Sequence, residues 1–390
     1  MNRITRHFAP AAIIALAVSA ATAVRADDGD SRPNQFVVTN LTSNLKGVAP
    51  NMDPVLQNAW GVTFTPGASP FWIADNATGC STLYDGQGAI ASTLQVKIPL
   101  PGGVPSTACK PVTSNTSPTP AAPTGVVWNP TSTFLVPNQS TNTPAIFIFD
   151  TEDGTISAWA GGLSPADQAV LAVDNSGSGA VYKGLVFGTN AKGVFLFATN
   201  FNAGTVDVFG PATASSNGMY APVTTDGGFM DPDIPSGFAP FGIQNINGNL
   251  FVTYALQKQP DKHDDVAGPG NGFVDVFDTD GHLLRRFASR GPLNSPWGVA
   301  RASFAFGRFS GAILVGNFGN GKIHAFDSDG RFLGTLRDVN GKPIVLDGLW
   351  TLTLGGGRNS NSDTLYFTAG PNEETNGLFG TITPVSKADN

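Results

Sequence analysis

The chain has 390 residues, a formal net charge of −7, and a high content of turn-forming residues, with 47 Gly and 29 Pro. Charged residues make up only 13% of the chain, about half the usual share of about 25% in a soluble domain. Because Gly and Pro interrupt helices and the chain is rich in apolar residues, this composition excludes a coiled coil, a long helical bundle and a disordered tail. It favours many short elements joined by turns.

The first 26 residues predict a secretory signal peptide. Arg3 and Arg6 precede an apolar run over residues 11–23, and small residues precede Asp27. We therefore expect an exported protein, secreted or periplasmic, with no transmembrane anchor in the mature chain. Removal of this segment takes away three of the 22 basic residues and none of the 29 acidic ones. The mature net charge is then about −10, which makes nucleic acid an unexpected partner.

Two cysteines, Cys80 and Cys109, are the number needed for one disulfide in an oxidising compartment. Neither lies in a CxxC motif or near a His in the sequence. A structural disulfide is therefore favoured over a metal or redox site.

A Gly followed by an aliphatic residue opens a strand-like run six times along the chain. These glycines are Gly61, Gly125, Gly184, Gly242, Gly298 and Gly348. Further apolar runs follow each start, and Asp-Gly turns close several hairpins. In the second repeat, residues 134–136 are assigned as the second strand and residues 146–150 as the third. The pattern predicts an all-β fold, a six-bladed β-propeller of four-stranded antiparallel blades.

We expect one domain over residues 27–390. Its approximate blades span residues 58–98, 124–162, 183–225, 241–289, 297–337 and 347–384. The sixth repeat has only three strands, whereas residues 35–41 form a spare strand near the N-terminus. Pairing of this strand with the last blade would close the ring and remove an exposed edge. A loose N-terminal arm is the alternative.

The repeats resemble NHL-type and gluconolactonase-like propellers in the segment from Asn317 to Asp327. More closely, Asn40–Asn44, Asn58–Val62, Trp72–Asn76 and Asp347–Trp350 resemble an uncharacterised family of secreted bacterial proteins, many of which end in a PEP-CTERM sorting tail. The resemblance implies a β-propeller and no established activity. This chain ends at Asn390 without such a tail, so free export is expected rather than surface anchoring.

We call the face on which the first strand of each blade begins the top face. The long connection over residues 99–123 and the insertion over residues 257–271 are expected there, and function usually resides in such loops. The residues before the six glycines should surround the mouth of the central channel: Trp60, Thr124, Lys183, Phe241, Trp297 and Asp347. Lys183 and Asp347 should face each other across it.

These mouth residues combine aromatic faces with polar ends, a mixture that can hold a small polar or carbohydrate-like ligand. Packing of the aromatic residues between blades, with Lys183 solvated, is the alternative.

The ends of the second strands supply a second set of candidates: Asp75, Asn76, Asn138, Asn200 and Asn317. Their oxygens suit Ca²⁺, which the resemblance to gluconolactonase-like propellers also implies as a possible cofactor. Capping of turns by the same side chains is the alternative. His263, beside Asp261, Asp264 and Asp265, is the candidate general base, with a solvated loop tip as the alternative.

The sequence carries no nucleophile elbow, metalloprotease helix, phosphate loop or dinucleotide fingerprint. It therefore favours a binding or scaffold propeller that uses its top face to hold a small molecule, a carbohydrate-like ligand or another exported protein. The second hypothesis is a calcium-assisted hydrolase or lactonase of the gluconolactonase type. An inert structural domain is the third.

Overall fold

The structure is a computed structural model that describes residues 33–67, 69–106, 109–110 and 120–385. The predicted signal peptide at residues 1–26 and the C-terminal residues 386–390 lie outside the described residues. Within the described ranges, no helix is both long enough and apolar enough to cross a membrane.

The strands form six sheets, which are the six blades of a β-propeller, as predicted. Blade one contains β3 (Ala59–Thr63), β4 (Phe71–Asp75), β5 (Cys80–Tyr84) and β6 (Val96–Lys97). Blade two contains β7 (Pro123–Trp128), β8 (Phe147–Thr151), β9 (Thr155–Trp159) and β10 (Val170–Asp174). Blade three contains β11 (Tyr182–Asn190), β12 (Gly193–Asn200), β13 (Thr205–Gly210) and β14 (Ala221–Pro222).

The remaining blades complete the ring. Blade four contains β15 (Phe238–Ile246), β16 (Asn249–Leu256), β17 (Phe273–Phe277) and β18 (Leu283–Ser289). Blade five contains β19 (Pro296–Arg301), β20 (Ile313–Asn317), β21 (Ile323–Phe326) and β22 (Phe332–Thr335). Blade six contains β23 (Leu349–Leu354), β24 (Leu365–Ala369) and β25 (Leu378–Pro384), with β1 (Phe36–Ser43) as its outer strand and β2 (Asn51–Met52) beside β1.

Short 3₁₀ turns supply the helical residues that the structure describes. They span Asn76–Thr78, Pro101–Gly103, Ser176–Ser178, Ala214–Ser216 and Gly307–Phe309.

The N-terminal strand closes the ring, as predicted. β1 pairs with β25 in antiparallel register, with Phe36 opposite Pro384 and Ser43 opposite Leu378. The first strands of consecutive blades contact one another, and β23 of blade six contacts β3 of blade one. Because the two ends of the chain share one sheet, the last blade has no missing outer strand.

The blades pack face to face, so their inner strands are buried on both sides. All five residues of β4, β8 and β17 are buried. At one such interface, Trp72 of blade one stacks on Phe147 of blade two with ring centroids 4.1 Å apart. Strands buried on both faces need continuous apolar runs, which accounts for the low content of charged residues.

Blade two corrects the predicted strand assignment. Phe134, Leu135 and Val136 lie in a long connection between β7 and β8, and the second strand is β8. The segment assigned as the third strand is therefore the second, and the turn after it lies on the top face rather than the opposite face. This insertion misled the sequence assignment because residues 134–136 form an apolar run like that of a strand. Phe134 is fully buried, which explains why the insertion needs an apolar side chain there.

The predicted disulfide is present between Cys80 and Cys109, 29 residues apart in sequence. It ties the start of β5 to the connection between blades one and two.

Candidate functional site

Every first strand carries a register shift near its start, on the top face. The residue at this β-bulge is aligned across the six blades by its pairing with the second strand: Trp60, Thr124, Lys183, Phe241, Trp297 and Trp350. A bulge redirects a side chain out of the regular strand alternation. The side chains of five of these residues lie in contact at the channel mouth: Trp60, Lys183, Phe241, Trp297 and Trp350. The hydroxyl of Thr124 instead donates to Asp150 and to the carbonyl of Tyr182.

Asp347 does not belong to this ring, which corrects the sequence prediction. Leu349 pairs with Ala369 as Ala59 pairs with Asp75, so Trp350 is the counterpart of Trp60. Asp347 is exposed and accepts a hydrogen bond from the backbone N–H of Asn372. Each bulge contains a second residue, which is a glycine in the other five blades and Thr351 in blade six, and the search for a Gly-aliphatic start therefore selected the wrong position.

Aromatic side chains fill one half of the mouth. We call Trp60, Phe201, Phe241, Trp297, Phe318 and Trp350 the aromatic cluster. Trp60 stacks on Trp350 with ring centroids 3.6 Å apart, and Phe318 stacks on Trp350 at 4.0 Å. Trp60 and Phe241 are each only 1% exposed. These two residues therefore pack inside the protein, as in the alternative interpretation, while Trp297 is partly buried.

The other half of the mouth is a hydrogen-bonded polar cluster of Asn58, Asn76, Glu152, Lys183 and Glu374. Lys183 forms an ion pair with Oε1 of Glu152, and the side chain of Lys183 is 4% exposed. Asn76 donates to Oε2 of Glu152 at 2.9 Å. Asn58 donates to Oδ1 of Asn76 at 3.1 Å and to Oε2 of Glu374 at 2.8 Å. Side chains from blades one, two, three and six thus form one connected network.

The aromatic cluster holds this network in place. Trp350 donates from Nε1 to Oδ1 of Asn58 at 2.9 Å, and Trp297 donates from Nε1 to the carbonyl of Lys183 at 2.8 Å. The ammonium of Lys183 lies 5.3 Å from the ring centroid of Trp60. A cation over an aromatic face is attracted by the ring quadrupole, so Lys183 is neither solvated nor paired with Asp347.

His263 lies at the edge of the polar cluster, on the blade-four insertion. Its Nδ1 is 3.0 Å from Oδ1 of Asp264 and 3.9 Å from Oε1 of Glu152, and the side chain is 44% exposed. The insertion is tied to blade three, because Asn202 donates to the carbonyl of Asp261 at 2.7 Å. The structure thus brings the predicted candidate base to the mouth.

Burial and neighbouring charges shift the pKa values of the carboxyl groups at the mouth in opposite directions. Burial and, to a smaller extent, the charge of Glu152 raise the pKa of Glu374 to about 7. Burial is the largest single influence on Glu152 and opposes its ionisation, but the charges of Lys183 and His263 and the hydrogen bonds from Lys183 and Asn76 together hold the pKa of Glu152 below its ordinary value. Burial raises the pKa of Asp265. Opposite shifts in neighbouring carboxyl groups are typical of sites that move protons.

Glu152 and Glu374 were not identified from the sequence. Glu152 lies in the turn after β8, and the wrong strand assignment in blade two placed that turn on the opposite face. The tight turn from Asp150 to Gly154, followed by an alternating run at Thr155–Trp159, was the signal for the correct hairpin. Glu374 lies in the loop after β24, where no sequence pattern marks it.

The proposed metal ligands do not form a ring. Asn138 lies in the connection between β7 and β8, at the end of the blade opposite the mouth, so its predicted position was wrong. Asn200 accepts from the backbone N–H of Val181 and donates to Asp207, and Asn317 donates to the carbonyl of Pro292 at 2.9 Å. Asp75 is fully buried and accepts from Thr82 at 2.7 Å.

No group of three or more His, Cys, Asp or Glu side chains suited to a metal ion occurs among the described residues. Asn76 is the predicted ligand that reaches the mouth, where its amide bonds Glu152 and Asn58.

Two cavities lie away from the mouth. One, of about 370 Å³, is bordered by Pro99, Asn138 and Leu171. The other, of about 350 Å³, lies along β13 and is bordered by Asn175 and Asp207. Neither contains a charged pair like that of Lys183 and Glu152, so we place the candidate site at the mouth.

No family model matches the chain. Two uncharacterized proteins of Acanthamoeba polyphaga mimivirus are similar to it over 347 residues, which is 88% of the chain. One is 30% identical with 79% of its own length covered, and the other is 31% identical with 85% covered. These relatives lend no support to the expected bacterial family with sorting tails.

Among solved structures, an auxiliary nutrient binding protein from Bacteroides thetaiotaomicron aligns with a TM-score of 0.50 at 12% identity, over 89% of this chain and 76% of that one. A gluconolactonase-type structure aligns with a TM-score of 0.36 over 61% of this chain, which is too low to support an argument about activity. These likenesses concern the fold alone. By its sequence similarity, the chain belongs to the same family as the two mimivirus proteins.

Proposed function

We propose that the protein is a binding propeller that holds a small, hydroxyl-rich ligand at the channel mouth on its top face. The observation that carries this proposal is that two buried polar atoms, one on each of two mouth residues, have no partner within hydrogen-bond distance. Nε1 of Trp60 has no acceptor, and Oδ2 of Asp265 has no donor within hydrogen-bond distance. The hydroxyl of Ser295, which also lacks a partner at that distance, is near enough to oppose the rise that burial causes in the pKa of Asp265. Buried polar groups are normally paired, and a hydroxyl group can both accept and donate. A ligand with several hydroxyl groups would therefore satisfy both atoms.

The charge distribution supports a neutral or cationic ligand rather than an anionic one. Glu152, Glu374, Asp264 and Asp265 all lie within electrostatic reach of Lys183. Lys183 already pairs with Glu152. An anionic ligand would meet an excess of carboxyl groups in a partly buried site, where like charges repel strongly.

Export stays part of this proposal. The Cys80–Cys109 disulfide suits an oxidising compartment, and the predicted signal peptide lies outside the described residues.

The second candidate function, a calcium-assisted hydrolase or lactonase, has weaker support, because Asn200 and Asn317 use their amide groups in local contacts.

Isothermal titration calorimetry with glucose, N-acetylglucosamine, maltose and myo-inositol tests the proposal. We expect at least one of these compounds to bind, and Asp265→Asn to weaken binding about 10- to 100-fold, the loss expected for one hydrogen bond to a charged group. Asp261→Asn, an exposed position on the same insertion, is the matched control and should leave affinity unchanged. Equal affinities in both variants, or binding of none of the four compounds, would contradict the proposal.

A further inference from the structure

The backbone at the mouth is strained at the residues that position the polar cluster. Asn58 has φ 46°, and Asn372, Glu373 and Glu374 have φ 56°, 54° and 63° in succession. Lys262, which precedes His263, has φ 55°. Left-handed backbone is unfavourable for residues with a Cβ, it persists where the surrounding structure enforces it, and it is frequent at functional sites. Three separate loops carry this strain, and all three deliver a side chain to the mouth.

Two carboxyl groups at this mouth are linked by a fixed relay. Glu374 accepts from Asn58, Asn58 donates to Asn76, and Asn76 donates to Glu152. The charge of Lys183 favours the ionised form of Glu152, whereas burial beside Glu152 favours the protonated form of Glu374. A proton donor and a proton acceptor are therefore present together near neutral pH, which is one requirement of acid–base chemistry.

The sign of the surrounding charge selects the type of bond that can be cleaved. Asp264 and Asp265 add negative charge to that of Glu152, and Lys183 is already paired. Hydrolysis of esters or lactones develops an oxyanion, which such a site would destabilise. Hydrolysis of a glycosidic bond develops positive charge on the anomeric carbon and ring oxygen, which the same carboxylates would stabilise.

We propose that the mouth hydrolyses glycosidic bonds, with Glu374 as the general acid and Glu152 as the general base; this inference rests on the proposed binding of a hydroxyl-rich ligand. Glu374 gives its proton to the bridging oxygen while the bond from that oxygen to the anomeric carbon breaks. Glu152 takes a proton from the water molecule whose oxygen bonds to that carbon. One water is consumed, two hydroxyl groups are produced and nothing is oxidised or reduced. Exchange with solvent then restores both carboxyl groups.

Assays of the full-length protein with a panel of 4-nitrophenyl glycosides and unmodified disaccharides test this inference. We expect turnover of at least one substrate, and Glu152→Gln and Glu374→Gln should each lower kcat/KM by about 100-fold or more, the range for general acid–base catalysis. Asp363→Asn, at an exposed position outside the mouth loops, should retain activity. Circular dichroism and the melting temperature of each variant show whether a loss of activity reflects unfolding.

The pH profile distinguishes chemistry from a structural role. Glu374 must be protonated to act as the acid, so kcat/KM of the wild type should fall above about pH 7, and this fall should be absent from the residual activity of Glu374→Gln. Binding of saccharides without turnover would overturn the hydrolytic inference and leave the proposed function intact. Failure to bind any saccharide would overturn both. Faster cleavage of 4-nitrophenyl acetate that depends on Glu152 would also overturn the inference.

Discussion

We predict that a buried carboxyl group in blade two makes the free energy of unfolding depend on pH. In three blades, the second-strand residue next to the bulge is a threonine: Thr199, Thr253 and Thr368. The side chain of Thr253 accepts from the backbone N–H of Gly242 at 2.8 Å. In blade two, Asp150 takes this position, is fully buried, and accepts from Thr124 and from the backbone N–H of Gly125. Its other oxygen has no partner.

Burial raises the pKa of Asp150 from 3.8 to about 7, although hydrogen bonds from Thr124 and Gly125 oppose the rise. Below pH 3.8 the carboxyl group is protonated in both the folded and the unfolded state, so it contributes no pH dependence. Between pH 3.8 and about 7, the unfolded state ionises while the folded state keeps its proton. The free energy of unfolding therefore falls by about 1.4 kcal/mol per pH unit, to a total of about 4 kcal/mol. Above about pH 7 this loss is constant.

Asp150→Asn keeps the shape of the side chain and removes its titration. We expect the stability of the variant relative to wild type to rise by up to about 4 kcal/mol between pH 4 and pH 8. Urea unfolding followed by tryptophan fluorescence at a series of pH values measures this difference, and other titrating groups cancel in it. Asp363→Asn, at an exposed position, controls for the change in net charge. A difference that does not change with pH would refute the reasoning.

Two further predictions concern the mouth. Trp60→Ala should lower the free energy of unfolding by about 3–5 kcal/mol, because the side chain is buried. Phe304→Ala, at a side chain that is 77% exposed, is the control and should lower it by less than about 0.5 kcal/mol. Similar losses for the two variants in urea unfolding would contradict the packing of Trp60. Lys183→Met should cost about 3–5 kcal/mol by leaving Glu152 unpaired, and the double variant with Glu152→Gln should recover most of that loss. Additive effects in this double-mutant cycle would show that the pair does not interact.

The fold could be predicted because the same sequence pattern recurs in each blade. A glycine or small residue at each bulge and an apolar run in each inner strand recur with the blade, and each copy supports the others. The N-terminal strand was assigned correctly because blade six had too few strands, a deficit that can be counted in the sequence. The errors arose where one blade departs from the pattern, at the insertion around Phe134 and at Thr351, which replaces a bulge glycine.

The candidate site was predicted only in part. Lys183 and His263 were identified because their repeat position and loop placed them on the top face. The predicted partner of Lys183, Asp347, was wrong, since Asp347 lies outside the ring and Lys183 pairs with Glu152 at the mouth. Glu374 reaches the mouth through three consecutive left-handed residues, and single-sequence patterns do not reveal such a conformation in residues other than glycine.

The sequence by itself determined the number of blades, the closure of the ring, the disulfide and the top-face position of the blade-four insertion, because each depends on a local or periodic pattern. Only the tertiary structure decided which side chains meet at the mouth. Glu374 and Asn58 are 316 residues apart, and their contact depends on the closed ring and on strained loops. The same closure buries Trp60 and Phe241 and makes Lys183 the partner of Glu152. Burial and neighbouring charge then set the protonation of each carboxyl group, and both are properties of the assembled ring.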